Sequence, residues 1–258
     1  MSRSTKKSGI THLFIPDTQV KPGNPVNHLS ALGRYIEHRR PDVIIMAGDW
    51  SDMPSLSYYD RGTKSAEGLR YQDDIDAAHK GMEALLSPFL KSRRTYKPRM
   101  ILTLGNHENR ITRYVEANAA LDGKLALSDL PYDRWEVHPF LQPVEVDGIL
   151  YSHFFPQGPD GQVFQSSRGA PSAKAQVQRL LQSATAGHKP GLNHHVHQSF
   201  LRQQHGLIAG SFYQHDESFH TPQGNAYWRG IVVKHDVIKG AYSPMFVSLD
   251  YLLRRYSK

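Results

Sequence analysis

The stretch Asp42-Val-Ile-Ile-Met-Ala-Gly-Asp-Trp-Ser-Asp52 places a nearly continuous apolar run directly before a glycine and two carboxylates. An apolar run of this kind is typical of a strand that is buried on both faces of a sheet. The polar residues then fall at the carboxyl end of the strand, where open α/β sheets place their ligands. The stretch therefore predicts an α/β fold with its chemistry at a strand end.

Three further segments repeat this arrangement of an apolar run followed by polar residues. They are Asp17-Thr-Gln19 after Thr11–Pro16, Gly105-Asn-His-Glu108 after Met100–Leu104, and Gly187-His188 after Ser183–Ala186. Carboxylate, amide and imidazole groups gathered at one sheet edge form an oxygen and nitrogen ligand set for divalent metals. One such signature is weak evidence, but four in order along the chain predict a metal site.

Helical patterns separate the strands in the first half of the chain. Apolar spacing predicts helices over Val26–Arg39, Ala66–Leu90 and Asn109–Ala120. This alternation favours a parallel or mixed sheet that is covered by helices.

The second half is richer in strands. We predict a hairpin of Val144–Val146 and Ile149–Ser152 that turns at Asp147-Gly148, and a helix over Ser172–Gln182 with Ser172 as its N-cap. We also predict a second hairpin of His195–Gln204 and Leu207–Tyr213 turning near His205-Gly206, then strands at Trp228–Val237 and Met245–Leu252. The expected organisation is a flexible basic tail over residues 1–10 and a single domain of two packed sheets over residues 11–258.

The composition restricts the chemistry of any metal site. The 258 residues include no cysteine, so disulfides and thiolate ligands are excluded and a metal must use nitrogen and oxygen donors. No segment resembles a signal peptide or a membrane span, so we expect a cytoplasmic protein with no membrane partner. The net charge of +7 suits a phosphate-rich partner such as DNA or RNA. The basic clusters at Arg34–Arg40, Lys91–Arg99 and Arg254–Lys258 also fit the C-terminal ends of helices.

The motif series resembles that of the calcineurin-like metallophosphoesterases, a binuclear-metal superfamily that includes SbcD-type nucleases, purple acid phosphatases and Ser/Thr phosphatases. The family motifs D-x-H, G-D-x-x-D, G-N-H-E, a single H and G-H-x-H correspond to residues 17 to about 190 here. The resemblance implies a four-layer α-β-β-α sandwich with mixed sheets and with the metals between the sheets. Residues 209–233 also resemble phage-encoded members, which would place the protein in the host cytoplasm.

The resemblance implies two divalent metal ions, with manganese as the first choice and iron, zinc, magnesium or nickel as the others. One ion would be held by Asp17, Gln19 and Asp49, and the other by Asp49, Asn106, His153 and His188, so that Asp49 bridges them. His107 would protonate the leaving oxygen or stabilise the transition state, Asp52 would orient His107, and Arg110 would contact the substrate phosphate.

Two departures from the family motifs bear on the first metal. Gln19 stands where most relatives have histidine, and Pro190 stands where the second histidine of G-H-x-H is expected. His195 or His197 could complete the site, and an alternative alignment makes His195-Val-His197 the family's H-x-H. A less specific interpretation is that His195 and His197 are surface residues of a strand. In the same way, His153 could be a core histidine and Glu108 only a charge at a helix N-terminus.

The leading functional hypothesis is hydrolysis of phosphodiester bonds, including those of nucleic acid, by a bridging hydroxide between two metals. A phosphomonoesterase that acts on a protein or a small molecule is the alternative, since the same site serves both reactions. A non-catalytic scaffold with a decayed metal site is the alternative from another class. Tyr58–Arg61, with the segment to Arg70, and Ser166–Gly169 could form loops at the rim of the cleft, although a solvated loop without a role in binding is the favoured interpretation of each.

Overall fold

The computed structural model describes residues 9–92, 95–155, 169–217 and 221–257. The strands are β1 (Ile10–Ile15), β2 (Val43–Met46), β3 (Arg99–Thr103), β4 (Glu136–His138), β5 (Val144–Val146), β6 (Ile149–Ser152), β7 (Ser183–Ala186), β8 (Leu192–Gln198), β9 (Gln203–Ala209), β10 (Gly230–Ile238) and β11 (Ala241–Ser248). The α-helices are α1 (Asn27–Arg39), α2 (Tyr71–Ser92), α3 (Asn109–Ala117), α4 (Ala173–Leu180) and α5 (Leu249–Tyr256).

The strands form two mixed sheets. The first has six strands in the order β11-β10-β1-β2-β3-β4, and the second has five in the order β5-β6-β7-β9-β8. In the first sheet, β1, β2, β3 and β4 run parallel, so the loops after β1, β2 and β3 leave from the same edge. In the second sheet, β6, β7 and β9 run parallel in the same way. The predicted mixed α/β architecture is confirmed.

Three apolar clusters define four layers. One joins a face of the first sheet, through Ile44 and Leu102, to Leu29 of α1, Leu85 of α2 and Leu252 of α5. A second lies between the sheets and includes Ile45 and Ile101 from one and Tyr151 and Leu207 from the other. A third packs Ala173 of α4 on Ala184 and Ile208 of the second sheet. The order is therefore helices, sheet, sheet, helix.

Several predicted elements are confirmed with small changes of boundary. The β5–β6 hairpin turns at Asp147 and Gly148, whose φ angles of 50° and 84° are those of a two-residue turn. Ser172 caps α4, because its hydroxyl accepts a hydrogen bond from the Ala175 amide. Helix α2 starts at Tyr71 rather than Ala66, since Lys64–Ala66 forms a separate 3-10 turn. Strand β4 was not anticipated.

The predicted position of the second hairpin turn is wrong. The turn lies at Ser199–Arg202, where the Ser199 amide donates to the Arg202 carbonyl, and His205 and Gly206 lie inside β9. A Cβ at position 206 would lie 2.0 Å from the Ala173 carbonyl oxygen. The glycine therefore allows α4 to pack closely on β9 and does not mark a turn.

The predicted strand Met245–Leu252 is also wrong in its second half. β11 ends at Ser248 and α5 begins at Leu249. The Ser248 hydroxyl accepts a hydrogen bond from the Tyr251 amide and so caps the helix.

The described ranges contain no helix that is long and apolar enough to span a membrane. Residues 166–168 of the candidate rim loop and residues 1–8 of the predicted basic tail lie outside the described residues.

Candidate metal centre and active site

The loops after β1 and β2 are joined by hydrogen bonds at the carboxyl edge of the first sheet. The amides of Thr18 and Gln19 donate to the Asp49 carbonyl at 3.2 and 2.9 Å. Gln19 and Asp49 have φ angles of 41° and 48°, and His188, after β7 of the second sheet, has 67°. Left-handed backbone at non-glycine residues carries strain and is concentrated at functional sites. Three of the ten described non-glycine residues with a positive φ angle are predicted metal ligands.

Three predicted ligands converge on one imidazole nitrogen of a fourth. His153 Nε2 lies 2.9 Å from Asn106 Oδ1, 3.2 Å from His188 Nδ1 and 3.2 Å from Asp49 Oδ2. Ligand atoms of Asp49, His153 and His188 all lie within 4.8 Å of one another. The fold therefore brings the loops after β2, β3, β6 and β7 to a common point.

The hydrogen bonds of His153 make this point suitable for a cation. Its Nδ1 lies 2.9 Å from the Ala47 carbonyl oxygen, which can only accept, so Nδ1 carries a proton. In the neutral ring, Nε2 then presents a lone pair toward the acceptor oxygens of Asn106 and Asp49. A backbone carbonyl that holds one nitrogen of a histidine and leaves the other for a metal is the usual arrangement of a metal-binding histidine. The residues present therefore fit a divalent metal ion.

Burial and charge shift the pKa values of these groups strongly. Burial raises the pKa of Asp17 to about 8, with the nearby Asp49 carboxylate adding to the effect. Burial alone would lower the pKa of His153, but the carboxylates of Asp49 and Asp17 raise it to about 9. Burial and the neighbouring His153 lower the pKa of His188 to about 4. The Asp17 and Asp49 side chains, each 1% exposed, ionise more easily beside a positive charge, and a bound divalent cation would supply one.

The predicted ligands of the other metal are less closely grouped. Both Asp17 oxygens accept from the His188 amide, at 3.0 and 3.1 Å, and Oδ1 lies 3.9 Å from His153 Nδ1. Among the described residues, no hydrogen bond joins the Gln19 side chain to another predicted ligand. His195 and His197 lie on β8 at the end of the second sheet, opposite Gly206 and Gln204 of β9. The structure does not bring these two histidines into the close ligand group formed by Asp49, His153 and His188.

His107, Asp52 and Arg110 lie together beside this centre. His107 Nδ1 lies 2.9 Å from Asp52 Oδ1, and its Nε2 lies 3.7 Å from Asp49 Oδ2 and 3.3 Å from Arg110 Nη2. Arg110 also donates to the backbone carbonyls of Asp52 and Met53 at 2.8 and 3.2 Å. Although burial opposes it, the carboxylates of Asp49 and Asp52 raise the pKa of His107.

A model of the calcineurin-like phosphoesterase family matches residues 10–206. The match covers most of the chain, including each of the strand-end motifs. The chain belongs to the calcineurin-like phosphoesterase family. Members of this family are hydrolytic phosphoesterases, so the protein is a metal-dependent hydrolase of phosphate esters. No curated protein matches the chain with significance.

Glu108 has a larger role in the phosphoesterase than a helix N-terminal charge. Its carboxylate is fully buried and accepts from the amides of Gly105, Asp49 and Trp50 at 2.8, 2.9 and 2.6 Å. It also accepts from the Tyr132 hydroxyl at 2.9 Å. These bonds join the β2 loop to the β3 loop, so Glu108 positions the loops that carry Asp49 and Asn106.

Lys21 is a second site residue that sequence reasoning missed. Its Nζ lies 3.1 Å from Asp52 Oδ2 and 3.7 Å from Glu217 Oε2. Burial opposes ionisation of Asp52, yet the bond to His107 and the charges of His107, Lys21 and Arg110 lower its pKa. The only signal in the sequence was the position of Lys21 four residues after Asp17.

Two glycines of the phosphoesterase motifs are required by close packing at the site. A Cβ on Gly105 would lie 2.1 Å from Asp49 Oδ1, and a Cβ on Gly187 would lie 2.4 Å from Asp17 Oδ1. Neither position can accept a side chain unless a carboxylate moves.

Proposed function

We propose that this phosphoesterase hydrolyses phosphodiester bonds of DNA or RNA at a binuclear metal site. The observation that carries the proposal is the position of Asp49, whose Oδ2 lies 3.2 Å from His153 Nε2 and 3.7 Å from His107 Nε2. One carboxylate thus lies between a metal-ligand group and a histidine of raised pKa.

The grouping of side chains supports the first ligand set, and the family motifs support the second. Asp49, Asn106, His153 and His188 would hold one ion, and Asp17, Gln19 and Asp49 the other. Carboxylate, amide and imidazole donors with no thiolate suit manganese, our first choice, and also accept iron, zinc, magnesium or nickel. When bound, such ions polarise the phosphoryl oxygens and lower the pKa of the attacking water. The second ion should bind more weakly, because an amide replaces one imidazole and Pro190 replaces another.

The protein's own residues would act on the leaving group and the phosphate. His107 is held through Nδ1 by Asp52, so its Nε2 is free to give a proton to the departing oxygen. The carboxylates of Asp49 and Asp52 raise the pKa of His107, which favours the protonated ring. Arg110 Nη2, 3.3 Å from the same nitrogen, would bind a phosphoryl oxygen beside it.

A diester in nucleic acid is favoured by charge and by the acid group. A proton donor matters most for an alkoxide leaving group, which is the leaving group of a nucleic acid phosphodiester. The net charge of +7 would also attract a polyanion. Binding to DNA or RNA should therefore weaken as salt is raised.

The test compares hydrolysis of bis-p-nitrophenyl phosphate and p-nitrophenyl phosphate with manganese, magnesium, zinc or EDTA. We expect metal-dependent cleavage of bis-p-nitrophenyl phosphate. On an oligonucleotide, whose leaving group is an alkoxide, we expect kcat to fall about 10²- to 10⁴-fold for His107→Gln. His235→Gln is the matched control, since His235 is exposed on β10. Manganese binding by calorimetry should be retained in both variants.

Each alternative has its own outcome. Preference for the monoester would replace the diester proposal with a phosphomonoesterase. No hydrolysis with any metal would contradict the proposal and favour a scaffold whose site has decayed.

A further inference from the structure

The segment after Asp52 exposes two aromatic side chains that the proposed chemistry does not use. Tyr58 and Tyr59 are 66% and 90% exposed, and their ring centroids lie 6.4 Å apart in an edge-to-face arrangement. Single exposed apolar residues are common, but two adjacent exposed aromatic rings form a contact surface. Tyrosine suits such a surface because it offers a large flat face at a low entropy cost.

Arg61 connects the Tyr58 ring to α3. Its guanidinium lies 5.2 Å from the centroid of the Tyr58 ring and 5.1 Å from that of Tyr114. These distances are within the range of cation–π contacts. Among the described residues no carboxylate forms an ion pair with Arg61. Its charge therefore remains available to a phosphate.

The backbone near the tyrosines is held by a local turn. The Asp60 carbonyl accepts from the amide and the hydroxyl of Thr63, and the Asp60 carboxylate accepts from the Ser65 hydroxyl at 3.2 Å. The carboxylate next to Arg61 is thus engaged within the turn. These bonds restrict the conformation of the loop, which lowers the entropic cost of binding.

Helix α3 leads from the candidate active site to this loop. His107 precedes the helix, Arg110 lies in its first turn, and Tyr114 follows one turn later. Spacings of three and four residues place side chains on one helix face, and the rise from Arg110 to Tyr114 is about 6 Å. The proton donor, the phosphate-binding arginine and the Arg61–Tyr114 contact therefore follow one another along a single line.

We propose that Tyr58, Tyr59 and Arg61 form a stacking platform for single-stranded nucleic acid, with a backbone phosphate of the bound strand at Arg110 and His107. The inference rests on the proposed function and specifies its substrate as a single strand. Bases of a duplex are already stacked on one another, whereas those of a single strand are free to stack on aromatic side chains. The exposed cations Lys64 and Arg70 of the same segment would contact the backbone.

The first test measures the affinity for a fluorescein-labelled oligothymidylate by fluorescence anisotropy in EDTA, which prevents cleavage. Loss of one stacked base should weaken binding by at least about fivefold for Tyr58→Ala and for Tyr59→Ala. Tyr58→Phe and Tyr59→Phe should bind like the wild type, because they keep the ring. Arg61→Gln should reduce the slope of the logarithm of affinity against the logarithm of salt concentration by about one, because one fewer phosphate contact releases one fewer counterion.

Phe200→Ala is the matched control for loss of an exposed aromatic ring. Phe200 is fully exposed in the β8–β9 turn, and β9 runs parallel to β7, so this turn lies at the sheet edge opposite the candidate site. The affinity of Phe200→Ala for the oligonucleotide should equal that of the wild type. An abasic oligonucleotide of the same length should bind the wild type weakly, and the tyrosine variants should differ little from the wild type on it.

The outcomes for the platform are separate from those for the proposed function. Wild-type affinity of both alanine variants, or equal affinity for a duplex, would overturn the platform while diester hydrolysis stands. Absence of diester hydrolysis in the wild type would overturn the proposed function, and the binding series would still decide the platform. A larger loss of oligonucleotide cleavage than of bis-p-nitrophenyl phosphate hydrolysis in the alanine variants would support both.

Discussion

Glu108 shows how much of the site depends on one buried carboxylate. Its oxygens accept from three backbone amides and from Tyr132, and no glutamine rotamer can reproduce this, because an amide nitrogen would face N–H donors. We expect Glu108→Gln to lower the free energy of unfolding by about 2–4 kcal/mol and to weaken manganese binding. Urea denaturation in EDTA and calorimetric titration measure the two effects. Glu116→Gln, a change at an exposed position of the helix α3 that Glu108 precedes, is the control, and equal behaviour of the two variants would contradict this role.

The histidines offer a direct test of the ligand assignment. His188→Ala removes a group within the close ligand set and should weaken manganese binding by more than about 100-fold. His195→Ala and His197→Ala should leave the affinity within about twofold, since both residues lie on the outer strand β8. Calorimetric titration of the three variants separates them. A loss in His195→Ala as large as that in His188→Ala would favour the alternative alignment.

The order of the motifs predicted which side chains would be neighbours, because parallel strands bring their carboxyl ends to one edge. It did not predict the bonds of Glu108 or Lys21. Those bonds depend on how the loops fold back after each strand, as when the Gln19 amide meets the Asp49 carbonyl. Spacing along the chain carries little information about such contacts. For the same reason it could not decide whether His195 or His197 completes the metal site.

At the scale of the elements, the close approach of the two sheets is set by Gly187. A Cβ there would lie 2.4 Å from Asp17 Oδ1 and 2.8 Å from the Ala47 Cβ, so Gly187→Ala must push the end of β7 away from β1 and β2. We expect manganese binding to weaken by about 10- to 100-fold. Gly33→Ala is the control, because its Cβ would meet the Leu85 carbonyl at 2.3 Å between α1 and α2, remote from the site. Thermal unfolding should show both variants destabilised, and calorimetry should show a loss of affinity in Gly187→Ala alone.

The two elements that the sequence analysis misplaced share a cause. Gly206 looked like a turn residue but accommodates α4, and the apolar Phe200-Leu201 pair occupies the true turn. Leu249–Leu252 continued the apolar pattern of β11, while the capping Ser248 ended the strand. In both cases a tertiary or capping contact overrode the local pattern, whereas the buried strands β2 and β3 were predicted within one residue at each end.

At the scale of the whole molecule, the interface between the sheets contains a fully buried lysine. Lys234 of β10 donates to the hydroxyls of Tyr151 and Thr185 in the second sheet. It also lies 4.3 Å from the Tyr151 ring centroid and 4.9 Å from that of Tyr242. The other titratable groups that it influences are His12, His194 and His205. No carboxylate among the described residues forms an ion pair with it, and burial lowers the pKa of its amine well below the ordinary value.

The lowered pKa makes stability depend on pH in a defined direction. The folded protein holds Lys234 neutral at a pH where the unfolded chain binds a proton, so unfolding takes up a proton and stability rises with pH. Where the folded protein holds Lys234 neutral and the unfolded chain does not, this residue contributes a slope of about 1.4 kcal/mol per pH unit. His153 and Asp17 also titrate between about pH 7.5 and 9, so the contribution of Lys234 is the difference between the slopes of the wild type and of Lys234→Met. Lys234→Met should remove that contribution and be more stable than the wild type at about pH 7.5, because a methionine fills the space without an amine to deprotonate.

Urea denaturation of both proteins at about pH 7.5, 8.25 and 9 measures the two slopes. Parallel lines would mean that Lys234 stays charged between the aromatic rings, and that cation–π contacts, rather than neutralisation, stabilise the interface between the sheets.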